Sequence, residues 1–187
     1  MQSYDTIRRT YKPASISILL IAESPPPAAS IQSSRQFYYT DRIRKDDRLF
    51  VNTIRALYPE TMDVSEADIE ENKESWLIRF KNDGFYMIEA LEESQEHEVT
   101  KKQRQARIAD NIPRLLTRVK ELASPKTGII LIKSNVFDVA AQPLRDHGFT
   151  VLNTELVDYP GRFNQRSYRE KLASLVKSRQ ALMHPID

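Results

Sequence analysis

A carboxylate stands at the end of one of the most apolar runs in the chain. Residues 15–22 read SISILLIA, Glu23 follows directly, and Ser24 leads into Pro25, Pro26 and Pro27. A charge at the end of a buried strand is costly unless it is used or paired. Consecutive prolines stiffen the segment and remove its backbone donors, so this loop cannot cradle a phosphate as a P-loop does. It can hold one carboxylate still, as general acid–base or electrostatic catalysis requires; otherwise Glu23 caps a helix or pairs with an arginine. Phe37, Tyr38 and Tyr39 are three successive aromatics. Beside arginines they can stack on bases, or they fill the core. Asn52, inside the run LFVNTI, offers a donor and an acceptor that can read a base edge, or it bonds backbone at a strand end. Ser134 and Asn135 follow the run GIILIK. Either is a natural helix N-cap, and a helix start there also suits phosphate. Residues 158–166, DYPGRFNQR, gather Tyr159, Arg162, Asn164 and Arg166 in one turn-rich loop. Those groups contact nucleic acid, unless the loop merely closes onto the last helix.

Other chemistries are excluded by absence from the sequence. The chain has 187 residues and no cysteine, so it has no disulfide, no cysteine nucleophile and no thiolate-held metal. His97, His147 and His184 lie in unrelated contexts without metal-ligand spacing, and no metal is expected. There is no GxGxxG, and four glycines in all argue against a dinucleotide fold; GxSxG is absent too. No cofactor is implied. No run approaches the roughly 20 apolar residues of a membrane helix, and the N-terminus lacks an apolar secretory core. The expectation is a cytoplasmic domain without membrane contact. Its oligomeric state is not readable from the sequence.

The net charge is only +2, so a nucleic-acid role must come from uneven charge. The distribution is uneven. Arg35, Arg42, Arg44, Lys45 and Arg48 cluster in the first third, and Arg162, Arg166, Arg169 and Lys171 in the last. Residues 60–74 hold seven acids against Lys73. A nucleic-acid surface would use the two ends and exclude the middle; otherwise these are solvated faces.

Positioning these groups requires a scaffold. Residues 15–22, 49–54, 84–88, 128–133 and 149–153 read as five strands. Helices are expected over 65–81 with Ser65 as N-cap, over 100–122 with a bend or break at Pro113, over 135–147 ending at Gly148, and over 167–182. Strands alternating with helices predict one domain of α/β class, a three-layer α/β/α sandwich with a mostly parallel central sheet. In such folds ligands bind beyond the carboxyl ends of the strands. That is where Glu23, Asn52, Ser134 and the 158–166 loop would fall.

Taken in order, these motifs resemble the uracil-DNA glycosylase superfamily over roughly residues 16–175. Ala22-Glu23-Ser24-Pro25-Pro26 is similar to that family's acid-bearing loop after its first strand. Phe37 or Tyr38 falls where an aromatic stacks on the flipped base. Leu49-Phe50-Val51-Asn52-Thr53-Ile54-Arg55 is similar to the segment whose Asn reads the base, and Tyr159-Pro160-Gly161 sits where a His-Pro-Ser type loop enters DNA. The resemblance implies a cluster-free member acting as a DNA glycosylase-type N-glycosidase that excises a damaged or modified base. Glu23 and Tyr159 would be catalytic, Phe37, Tyr38 and Asn52 would bind the base, and Ser134, Asn135, Arg162, Asn164 and Arg166 would hold phosphates. The partner would be DNA, single-stranded DNA included, or a nucleotide. Two departures stand out: Pro26 replaces a glycine and Tyr159 a histidine. They leave open a non-catalytic nucleic-acid or nucleotide binding module on the same fold, or a protein-interaction domain.

Overall fold

Strand β1 (Ile18–Ala22) lies inside the sheet and is buried along its whole length, as its unbroken aliphatic sequence dictates. The computed structural model describes residues 4–26, 37–40, 47–94 and 99–183. Most of the first basic cluster and of the triple-proline loop's continuation, with His97 and His184, fall outside them. In chain order the elements are α1 (Tyr4–Thr10), β1, α2 (Arg48–Leu57), α3 (Glu66–Glu71), α4 (Lys73–Asn82), β2 (Phe85–Glu89), α5 (Lys101–Leu122), β3 (Gly128–Leu131), α6 (Ser134–Asp146), β4 (Thr150–Val151) and α7 (Gln165–Met183); a short 3₁₀ turn, Pro59–Thr61, follows α2.

The sheet order is β2-β1-β3-β4 and every pairing is parallel. β1 is in register with β2 from Ile18↔Phe85 to Ala22↔Glu89, and with β3 from Ile18↔Gly128 to Ile21↔Leu131. Helices pack in two groups, α2 with α7 and α5 with α6, and the sheet lies between helical layers. The architecture is a three-layer α/β/α sandwich, as the alternation of runs predicts. Two glycines allow the close approaches at the amino ends of the strands. Gly84 turns from α4 into β2 at φ +79°, and a Cβ on Gly128 would lie 2.6 Å from Leu152 Cδ1.

Local signals explain most boundaries. Ser65 accepts from Asp68 N and caps α3, and Thr100 forms a reciprocal capping box with Gln103 at the start of α5. α5 continues through Pro113, and α6 ends at His147 with Gly148 at φ +82°.

Three expectations need correction. Residues 49–54 are not a strand. They form the body of α2, whose N-cap Asp47 accepts from Phe50 N. Leu49, Phe50, Ile54 and Leu57 recur at helical spacing, which the short window LFVNTI hid. Asn52 is therefore a helical residue. The predicted helix over 65–81 is two helices meeting at Asn72, which ends α3 and begins α4. Finally, the segment 4–10, read only for a leader sequence, is helix α1.

Candidate functional site at the carboxyl ends of the strands

Three parallel strands end side by side, and each delivers a charged residue to the same edge. β1 runs out into Glu23, β2 ends on Glu89, and β3 passes through Ile132 to Lys133. The ladder continues past the strands: Ala90 N donates to Ala22 O, Leu91 N to Glu23 O, and Ile132 N to Ile21 O. Lys133 N donates to Val157 O at 2.8 Å, and Ile132 bridges Val157. These contacts lay the segment before Tyr159 across the strand ends.

A cavity of about 150 Å³ opens there. Its apolar surface comes from Ala22, Leu49, Met87 and Ile132, with Tyr38 beside them. Glu23, Glu89, Lys133 and Tyr159 supply its polar groups.

Glu23 is only 6% exposed, and both of its oxygens are engaged. Oε2 accepts from Lys133 Nζ, and Oε1 accepts from Asn135 Nδ2 at 2.6 Å. Arg104 NH1 stands 3.9 Å from Oε2. The carboxylate thus lies against two cations and an amide, and its burial is compensated. Lys133 is less enclosed, its side chain 28% exposed. Its backbone is left-handed at φ +79°, the only non-glycine with positive φ among the described residues. Such a conformation costs of order 1–3 kcal/mol for a residue with a Cβ. The surroundings impose it: the N–H is tied to Val157, and the carbonyl accepts from Val136 N and Phe137 N as α6 begins.

Glu89 is held differently. Its Oε2 accepts from Arg8 NH2 at 2.5 Å, with both side chains 5% exposed. Burial pushes the carboxyl above its ordinary range, and Arg8 opposes that shift only in part.

Of the residues singled out from sequence, Glu23, Tyr38 and Tyr159 line the cavity, and Asn135 reaches it through Glu23. Phe37 is 3% exposed, packs 4.4 Å from the Tyr4 ring, and lies under Arg8; it fills the core. Tyr39 seals the edge strand, since its hydroxyl accepts from Met87 N and donates to Met87 O. Asn52 does not line the cavity. Its amide donates to Arg48 O at 2.8 Å and accepts from Arg169 NH1 at 2.6 Å, joining α2 to α7. Neither Ser134 nor Asn135 is the N-cap of α6; that position is Lys133, which makes no side-chain cap bond because an ammonium has no acceptor, and the Asn135 Nδ2 is given to Glu23. Asn135 Oδ1 is buried without a partner.

The loop before α7 is open to solvent. Arg162, Phe163, Asn164 and Arg166 are exposed, Phe163 by 89% with the Arg162 guanidinium 5.8 Å from its ring centre. Arg166 pairs with Glu170 on the surface at 2.7 Å.

Sequence reasoning missed Lys133, Arg104 and Glu89. A lysine closing the run GIILIK was the available signal: a long cation at a strand end is placed where such folds bind ligands. Arg104 and Glu89 had no such signal, since each depends on which helix or strand lies next to it.

Among the described residues no cluster of three or more His, Asp or Glu is arranged to hold a metal ion, and no helix is long and apolar enough to cross a membrane. Comparison with protein-family models, with curated proteins and with solved structures finds no match.

Proposed function

We propose that this chain is a nucleotide or nucleic-acid binding module that receives a nucleobase-sized ring at the carboxyl ends of its strands. The observation that carries this reading is the strand-end cavity itself. A cavity of about 150 Å³ has the volume that takes a benzene ring. Here apolar walls meet a charged pair, Glu23 and Lys133, at the same opening. A planar heterocycle matches that combination, with faces that are apolar and edges that hydrogen-bond. The exposed Arg162 and Phe163 follow Tyr159 in the loop, Arg166 stands in the first turn of α7, and together they suit a phosphate chain with stacked bases.

A second reading has an observation of its own. Glu23 and Tyr159 share the cavity, as an N-glycosidase of the uracil-DNA glycosylase type would need. In that reaction a flipped base enters the cavity, the C1′–N bond breaks while the carboxylate stabilises the oxocarbenium-like sugar and the Tyr159 hydroxyl hydrogen-bonds the departing base, and a water adds its oxygen to C1′ and gives a proton to the base. Two facts favour the binding module: both Glu23 oxygens are already engaged, and Asn52 is spent on α7.

The test pairs binding with turnover. Nucleosides and single-stranded oligonucleotides are titrated by calorimetry, and base release is followed on oligonucleotides carrying uracil, hypoxanthine, xanthine and alkylated bases. The module reading expects salt-dependent binding with no base released. Release that disappears in Glu23→Gln would establish the glycosidase instead. Absence of both binding and release would overturn both readings.

A further inference from the structure

We infer that Lys133, and not Glu23, is the group that meets the ligand in the strand-end cavity, where it selects a ring bearing an oxygen acceptor. This rests on the nucleobase reading of the cavity. Glu23 then serves as a positioning residue for the lysine.

The two halves of the pair are unequal. Glu23 has a donor on each oxygen, with Arg104 beside one of them, and its side chain is 5% exposed. It has little left to offer a ligand. Lys133 Nζ carries three N–H donors. One is given to Glu23, and no other acceptor among the described residues takes the remaining two. The lysine side chain is 28% exposed and lines the cavity. Its spare donors join the Tyr38 hydroxyl, Glu89 and Tyr159 as the polar groups that the cavity presents. Spare N–H donors call for an acceptor on the ligand; the acceptor assigned is oxygen, a ring carbonyl or a phosphate, with the bare ring nitrogen as the alternative the test exposes.

The backbone at Lys133 points the same way. At φ +79° a glycine would sit without strain, yet a long side chain is kept there. The β3–α6 junction aims that side chain back over the strand ends, because its N–H and carbonyl are both fixed. Observed strain over a cavity is what a functional position shows.

The experiment measures discrimination, not affinity alone. Calorimetric titrations compare inosine with purine riboside, and uridine with pyrimidin-2-one riboside; in each pair one ring carbonyl and its neighbouring N–H give way to C–H and a bare ring nitrogen. Inorganic phosphate forms a separate arm. Wild type is expected to favour the member with the additional carbonyl, inosine or uridine, by 10-fold or more, and Lys133→Met to bind both members alike. Glu23→Gln, which keeps the lysine, is expected to weaken binding while retaining a reduced preference. A merely structural role would lower both affinities together and leave the preference intact; that outcome, or an unchanged Lys133→Met, overturns the inference while the nucleobase reading stands. Lys133-dependent binding of phosphate without discrimination among rings would overturn the carbonyl assignment. A wild type that binds no nucleoside would overturn the nucleobase reading, and this inference with it. Circular dichroism of each variant confirms that it is folded.

Discussion

Two lysine–carboxylate pairs in this molecule have opposite settings. Lys73 and Asp47 are sealed between α2 and α4, 2% and 5% exposed, with Nζ 2.6 Å from Oδ2 and 4.7 Å from the Phe50 ring centre. Asp47 also caps α2, and its own N–H donates to Glu70 Oε1 at 3.0 Å. Closed off from solvent on both sides, that lysine can meet no ligand. Lys133 and Glu23 form the same chemical pair at the strand ends, but the lysine lines a cavity, sits on a left-handed backbone and has donors to spare. The first pair ties elements together; the second presents a charge. The same ion pair is a tie where it is sealed and a binding group where its lysine reaches a cavity.

The largest effect that could break this comparison lies in the sealed pair. Lys73→Met should cost about 3–5 kcal/mol, because Asp47 is left buried and unpaired. Urea unfolding measures it, and Asp47→Asn added to the same chain should recover most of the loss. A single-variant cost under about 1 kcal/mol would mean that the two pairs do not differ as described.

Lys133→Met should cost less, about 1–2 kcal/mol, because Asn135 and Arg104 still face Glu23. The strain can be isolated once the pair is neutral. In a Glu23→Gln background, Lys133→Gly should raise stability by about 0.5–1 kcal/mol through relief of the positive φ. A further loss there would show that the lysine stem packs better than its backbone suggests.

The Glu89–Arg8 pair sharpens the contrast through pH. Burial raises the Glu89 carboxyl above its ordinary value of 4.5, so the folded protein holds that proton more tightly than the unfolded chain does. The stability it contributes is full below pH 4.5 and is lost as pH rises through the folded value. Measured against wild type, Glu89→Gln should therefore improve as pH rises from 4.5 toward 7. The opposite slope would show that pairing with Arg8 outweighs burial.

The smallest effect belongs to the surface. Arg166 is paired only with an exposed Glu170, so Arg166→Ala should leave Tm unchanged. It should lower the salt slope of oligonucleotide binding by about 1 if the loop holds a phosphate.

The scaffold was legible because its signals are local. SISILLIA and GIILIK could only be buried strands, and Ser65, Thr100 and Gly148 mark helix ends by their own chemistry. The run LFVNTI misled because six residues hold both periods, and the Asp47 cap outside the run decides it. At the site, Glu23 was legible as a charge needing a purpose at a strand end. Its partners were not. Lys133 and Asn135 stand 110 and 112 residues away in sequence, and only the parallel register of β1 with β3 brings them together. Phe37 and Tyr39 were readable as aromatics, but whether they stack on a ligand or fill the core depends on Tyr4 and β2.

The reading of this molecule stands or falls on whether the strand-end cavity receives a nucleobase-sized ring. Methyl NMR tests it most directly, with uridine and inosine titrated into protein labelled at Met, Ile and Leu. Saturable shifts are expected at Leu49, Met87 and Ile132, which line the cavity, with little change at Ile69 and Leu77 in the core. Shifts that fall elsewhere, or none at millimolar nucleoside, would contradict it.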